Sequence, residues 1–231
     1  MGKKRGQATF FMLLGVALIF AVIVYVLLTN VQYKPTAPLG TEKIHACAQA
    51  ALEDLFLDIA FRGGYTVMPK QTVVMAYGEI PLYIENGIYL PTQQQVQMTL
   101  EEEAKEMLEI CMKELKRTEG ETKVIVTLLP REVQTQVTYP VLLAEGKQER
   151  QLPPLLLHHK ARMLTLYQIA EQIVSFIKDD PLRIPSSDLL DIEEKEKVVI
   201  NALWDDTKII YFISDNDPEM YDITWVFAVK A

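Results

Sequence analysis

Two cysteines and three histidines among 231 residues are too few for a four-thiolate metal site, and they exclude a disulfide-dense scaffold. Excess positive charge is missing too: the chain carries a net −8, whereas nucleic-acid proteins present a basic surface. No glycine-rich nucleotide loop and no Gly-x-Ser-x-Gly elbow occur, and Ser186-Ser187 has no local base, so phosphate cradling and nucleophilic hydrolysis find no motif. At 49% hydrophobic and 23% charged, the chain is too apolar for disorder and long enough for one large or two small domains.

What is present begins with one long apolar run. From Ala8 to Leu28 no residue is charged, and at 1.5 Å rise per residue such a helix covers roughly 30 Å, the hydrocarbon thickness of a bilayer. Residues 8–29 are therefore expected to be a transmembrane helix in contact with the lipid bilayer. Lys3, Lys4, Arg5 and the α-amino group precede it, while Lys34 and Lys43 on the far side are opposed by Glu42. This asymmetry predicts a cytoplasmic tail over residues 1–7, a single pass through the plasma membrane and an extracellular C-terminal head. A cleaved secretory signal is the rival reading, but its apolar region runs about 7 to 15 residues and ends in a small-x-small site. Here Thr36-Ala37 is followed by Pro38, a poor residue just after a cleavage point.

The junction Lys3-Lys4-Arg5-Gly6-Gln7-Ala8-Thr9-Phe10 places a basic cluster and one glycine directly before the apolar helix. It resembles the class III (prepilin-type) signal of archaeal surface proteins, which implies cleavage by a membrane peptidase between Gly6 and Gln7 with the helix left in place. Two departures bear on a filament role. Pilins usually carry a glutamate at the fifth mature position, where this chain has Phe11, and they continue the membrane helix unbroken into the head. Here Pro35 and Pro38 interrupt it, and prolines at that spacing remove helix hydrogen bonds and push their predecessors toward extended geometry. Residues 30–41 read as a short, semi-stiff stalk, and 42–231 as the exported head. All 31 acidic residues, and all but three of the 23 basic ones, fall after residue 30, which makes the head more acidic than the whole chain.

Within the head, Ile44, Cys47, Ala48, Ala51, Leu55 and Ile59 recur at helical spacing, and Arg62-Gly63-Gly64-Tyr65 closes that helix. Asn86-Gly87 predicts a type I′ hairpin turn that sets Ile84 opposite Tyr89 and Tyr83 opposite Leu90. Tyr83, Asn86, Gly87 and Tyr89 then form either a recognition edge or a sheet that packs its aromatics inward. Thr99 with Glu102 reads as a capping box opening a second helix, its stripe running Ala104, Met107, Leu108, Cys111 and Leu115. Glu101, Glu102 and Glu103 are explained there by the helix dipole without catalysis. Strands are expected over 123–129, 132–143 and 150–158, a third helix over 162–178 with one short turn capped by Ser187, and three closing strands over 196–203, 208–214 and 222–229. The pattern is α+β, about three helices on mainly antiparallel sheet.

Cys47 and Cys111 both fall on apolar stripes, so both are expected to face the core, either as a disulfide, since an exported location is often oxidising, or as buried thiols. His158 and His159 point to opposite faces of a strand, and His45 and Cys47 face differently on a helix, so no local zinc set exists. The run from Asp215 to Asp222 alternates oxygen ligands as a calcium loop does, but it lacks glycine at the sixth place and has Val226 where a glutamate belongs, which favours an acidic hairpin turn. No cofactor or metal is implied.

Together with the Gly6-Gln7 junction, the segments around Cys47, Arg62-Gly63-Gly64-Tyr65, Ile80-Pro81-Leu82-Tyr83, Cys111, Val137-Thr138-Tyr139-Pro140-Val141 and Phe227-Ala228-Val229 resemble a group of uncharacterised single-pass exported membrane proteins of small-genome archaea. The chain departs from that pattern at Arg62, where glutamine is expected. The resemblance implies location and architecture and no reaction. The expectation is a non-enzymatic binding or scaffolding module with an envelope protein as partner. A minor pilin-like subunit and a membrane-tethered hydrolase are the alternatives.

Overall fold

Ile44, Ala48, Leu52, Leu55, Phe56, Ile59 and Ala60 are buried along helix α1 (Leu39–Phe61), a stripe that advances four residues at a time and turns back by three only after Leu52. The computed structural model describes residues 39–76, 78–113, 116–117, 120–145, 148–179 and 186–230. The Gly6-Gln7 junction, the apolar run and the stalk up to Pro38 lie outside the described residues. Among the described residues no helix is long and apolar enough to cross a membrane.

The architecture is mixed α+β, with four helices and three sheets among the described residues. After α1 come β1 (Thr72–Met75), β2 (Gly78–Ile84) and α2 (Gln93–Cys111). A short β3 (Lys116–Arg117) is followed by β4 (Lys123–Leu128), β5 (Val133–Thr138), β6 (Val141–Glu145), β7 (Gln148–Gln151) and β8 (Leu155–His159). Then follow α3 (Met163–Asp179), α4 (Ser186–Glu196), β9 (Val198–Asp205), β10 (Lys208–Asp215) and β11 (Thr224–Lys230).

The largest sheet has the order β1-β2-β11-β10-β9 and is antiparallel except where β2 runs parallel to β11. Its inner strands are buried on both faces, and Trp225 to Val229 is accordingly an unbroken buried run. One face joins the main core, while Val73, Ile80, Leu82, Ile210, Val226 and Ala228 form a second cluster with Phe61, Met75 and Phe212 packed against it. The β4-β5-β8 sheet has one wet face instead: Leu155, Leu157 and His159 point inward while Leu156 and His158 point out.

Prolines cut two of the expected strands. Residues 132–143 divide at Tyr139-Pro140 into β5 and β6, which enter different sheets, and 150–158 divides at Pro153-Pro154 into β7 and β8, because proline offers no N–H to a ladder. The short turn expected at Ser187 is a full helix, α4, anchored by buried Leu189 and Ile192.

Helix α2 starts well before the Thr99 cap that its pattern suggests. Thr92 is the N-cap, its hydroxyl accepting from the Gln95 N–H at 3.2 Å while Gln95 Oε1 accepts from the Thr92 N–H at 2.7 Å. Thr92 and Thr99 each satisfy the same capping pattern, and Pro91 selects the first. Glu101, Glu102 and Glu103 are thus mid-helix, and the dipole does not account for them. Glu101 instead reaches the β4 edge, where its Oε1 accepts from the Val126 N–H at 3.0 Å. Glu193 of α4 does the same for Ile200 on the β9 edge at 2.6 Å. Both carboxylates satisfy edge donors that would otherwise be open to foreign strands.

The core-facing orientation expected of the cysteines is corrected. The buried line of α2 is Val96, Leu100, Ala104, Leu108 and Met112, so each cysteine sits one residue before a buried one, on the flank. Cys47 is exposed and Cys111 half-buried. The two nevertheless lie at disulfide distance, S–S 2.07 Å and Cα–Cα 5.8 Å, across 64 residues of sequence, and tie α1 to α2 at the margin of the core.

Candidate functional site

The end of α1 builds one side of a wide cleft. Gly63 and Gly64 have φ of +58° and +84°, and their N–H groups donate to Ala60 O at 3.0 Å and Ile59 O at 2.8 Å. This pair of reversed bonds is a Schellman cap, as expected of Arg62-Gly63-Gly64-Tyr65. Space requires glycine here as much as conformation does: a Cβ on Gly63 would lie 2.7 Å from Val226 O and 2.8 Å from Tyr83 Oη.

Tyr83 is fully buried and holds this turn from beneath. Its hydroxyl donates to Gly63 O at 2.5 Å and accepts from Trp225 Nε1 at 3.0 Å, while its ring stacks on Phe227, which stacks in turn on Tyr211. Burial drives the Tyr83 phenol well above its ordinary pKa, with the Trp225 hydrogen bond opposing, so it stays a neutral donor. The inward-packing alternative holds for Tyr83, which cannot meet a partner.

The predicted hairpin register is also corrected. Ile84 bridges Ile88 instead of Tyr89, the Tyr89 N–H donates to Tyr83 O at 2.8 Å, and neither Asn86 nor Gly87 has positive φ. A three-residue connection through Glu85, Asn86 and Gly87 replaces the two-residue turn, and β2 finds its ladder partners in β1 and β11. Asn86 and Gly87 are exposed, and Tyr89 is half-buried.

Tyr89 opens onto a cleft of about 470 Å³. One wall is Gly64, Tyr65 and Pro69; facing it are Tyr89, Leu90 and Pro91; and the exposed side of α2 contributes Gln95, Met98, Thr99 and Glu102. The Tyr65 hydroxyl donates to Tyr89 O and braces the walls against each other. Among the described residues Glu102 is the one charged residue in the lining. Apolar rings and prolines with a few polar groups and one carboxylate suit recognition of a ligand; the cleft offers no nucleophile paired with a base.

On another side, acidic and basic residues far apart in sequence converge. Arg162 is buried, its Nη1 donating to Asp215 Oδ1 at 3.2 Å and its Nη2 to Glu196 O at 2.7 Å. Asp215 Oδ1 also accepts from the Asp217 N–H at 3.0 Å, and Asp217 Oδ2 accepts from Arg131 at 3.2 Å. The Asp217 carboxyl is held below its ordinary range, first by the Glu219 N–H and further by Arg131. The calcium-like run is therefore a turn with two carboxylates directed at arginines. Sequence reasoning missed Arg131 and Arg162, which carry no local motif.

His159 lies under α1, buried edge-on against Phe56 at 5.0 Å, and neither ring nitrogen has a hydrogen-bond partner among the described residues. Burial lowers its pKa from 6.5, with the Glu53 charge opposing and His158 and His45 reinforcing. His158 is exposed, 3.3 Å from Glu132. Among the described residues no group of three or more His, Cys, Asp or Glu is placed to hold a metal ion. Comparison with protein families, with curated proteins and with solved structures finds no match to the chain.

Proposed function

We propose that the chain is a membrane-anchored surface protein, inserted through residues 8–29 with its N-terminus in the cytoplasm, whose acidic head is a non-enzymatic binding or scaffolding module of the cell envelope. The observation that carries the reading is the Cys47–Cys111 pair. The fold brings the two residues together from helices 64 residues apart in sequence, Cα–Cα 5.8 Å, with Cys47 exposed and Cys111 half-buried, where a reducing cytosol would keep them as thiols and an exported location lets them stay joined. The basic flank before the apolar run supports the same orientation, and the braced cleft beside Tyr89 supports a binding role.

Protease treatment of intact cells tests it. The head is expected to be digested while a cytosolic control survives, and non-reduced peptides from the membrane-derived protein are expected to contain a Cys47–Cys111 cross-link. A head that becomes accessible only after lysis, or two freely alkylated thiols, overturns the reading. The Gly6-Gln7 junction favours a second reading, a minor pilin-like subunit of a surface filament. That reading requires a mature chain beginning at Gln7, and an intact Met1 on the membrane protein eliminates it.

A further inference from the structure

We infer that the cleft beside Tyr89 binds an extended, proline-containing segment of a partner envelope protein, and that a lysine or arginine of this segment pairs with Glu102. The inference deepens the reading of the head as a binding module and rests on it. Three features select this ligand. Tyr65, Tyr89 and Pro69 are partly exposed in the lining and are side chains of the kind on which polyproline-type ridges dock, and such a ligand arrives already extended and loses little entropy on binding. The hydroxyl of Tyr65 bonded to Tyr89 O fixes the walls before a ligand enters, which removes another ordering cost.

Charge supplies the third feature. Among the described residues no basic residue lines the cleft, and Glu102 stands exposed on its α2 wall. A cation lying over a tyrosine ring with its charge toward Glu102 gains from both groups. An acidic ligand would meet this carboxylate, and among the described residues the lining holds no cation. The extended ligand leaves its own carbonyls open, and the Nε2 of Gln95 and the hydroxyl of Thr99 are donors in the lining, since the capping bond uses only Gln95 Oε1.

The test uses the purified full chain in detergent micelles and a fluorescein-labelled peptide of repeated Pro-Ala-Pro units with one central lysine, followed by anisotropy. Saturable binding is expected. It should weaken about five-fold or more in Glu102→Lys, the scale of an exposed ion pair lost and reversed, and it should change little in Glu194→Gln, an exposed carboxylate of α4 outside the cleft lining. The same peptide with glutamate for lysine, or with glycine for every proline, should bind much less. Absence of saturable binding, equal binding of the glycine peptide, or a Glu102→Lys chain that melts like wild type and binds equally well each overturns the inference. Because the assay uses purified protein, it reports on the cleft irrespective of topology. Failed peptide binding with a digested head in the shaving experiment refutes this ligand alone, whereas a protected head refutes the anchored-module reading even if the peptide binds.

Discussion

The two ends of α1 are held in different ways. Near its start, Cys47 is exposed and meets Cys111 at the edge of the core, so beside the packing of Ile44 and Ala48 the attachment to α2 includes a covalent link that solvent can reach. At its finish, Gly63 is enclosed by Val226, Pro81 and Tyr83, and the Tyr83 hydroxyl joins that turn to Trp225. A link at the margin depends on the redox poise of its surroundings, whereas a turn fixed by packing and buried hydrogen bonds holds in any compartment. The comparison separates a conditional contribution to stability from a permanent one, on the same helix.

The largest effect is expected at the conditional end. In the chain-entropy model, closing a loop with the 64-residue separation of Cys47 and Cys111 contributes up to about 4 kcal/mol. Cys111→Ser should therefore lower the melting temperature of the full chain in detergent by about 10 °C. Reductant should do the same to wild type without prior unfolding, since Cys47 is exposed, and should leave the mutant unaffected. A wild-type melt insensitive to reductant would place both ends in the same class.

Gly63→Ala attacks the permanent end. The new methyl must tolerate a left-handed φ and displace Val226 O or the Tyr83 hydroxyl, at an expected cost of about 3 kcal/mol. The loss should be equal in oxidised and reduced protein, as read by urea unfolding of both. A milder cut is Tyr83→Phe, which keeps the stacked ring and leaves the Trp225 N–H and Gly63 O unpaired. It should cost about 2 kcal/mol, and it should weaken binding at the cleft beside Tyr65 less than Glu102→Lys does, because Tyr83 lies beneath the walls and not in them.

The smallest effect lies midway along α1, where His159 packs on Phe56. Burial holds the imidazole pKa below 6.5 in the folded protein, so as pH falls the unfolded chain binds the proton first. Stability present above about pH 6.5 is then lost progressively as pH drops toward the folded-state pKa. Glu53, whose charge raises that pKa, narrows the window, and His158 and His45 widen it. Thermal melts of wild type at neutral and mildly acidic pH should diverge, and His159→Leu should show a smaller divergence, with His45 and His158 still present as internal controls.

Much of the secondary structure is legible in the sequence because local rules suffice for it. The α1 cap rests on two adjacent glycines, the α3 stripe of Leu166, Ile169, Ala170, Ile173 and Ile177 is buried throughout, and the closing strands fall within two residues of expectation. Legibility fails where two local signals compete. Thr92 and Thr99 both begin an acceptable capping box, and Asn86-Gly87 predicts a two-residue turn where the chain makes a three-residue connection between Ile84 and Ile88. The cleft is half legible: Tyr65 and Tyr89 stand out in separate segments, while Pro69, Met98 and Glu102 carry no mark in sequence that assigns them to a common wall.

Periodicity, caps and charge by themselves determined that this chain has an apolar run followed by an acidic α+β head, and that its two cysteines stand on two amphipathic helices. These are properties of neighbours within a turn or two, where steric limits and hydrogen-bond reach act directly. Which way the helices rotate was decided only in the folded core, because a shift of one residue moves a side chain about a quarter turn and exchanges Cys47 for Ala48 at the buried line. The pairing of Arg162 with Asp215 and of Glu101 with Val126 was likewise settled by tertiary structure. Buried charges and edge-strand donors take whichever partner the packed elements bring within about 3 Å, and that distance depends on the whole chain at once.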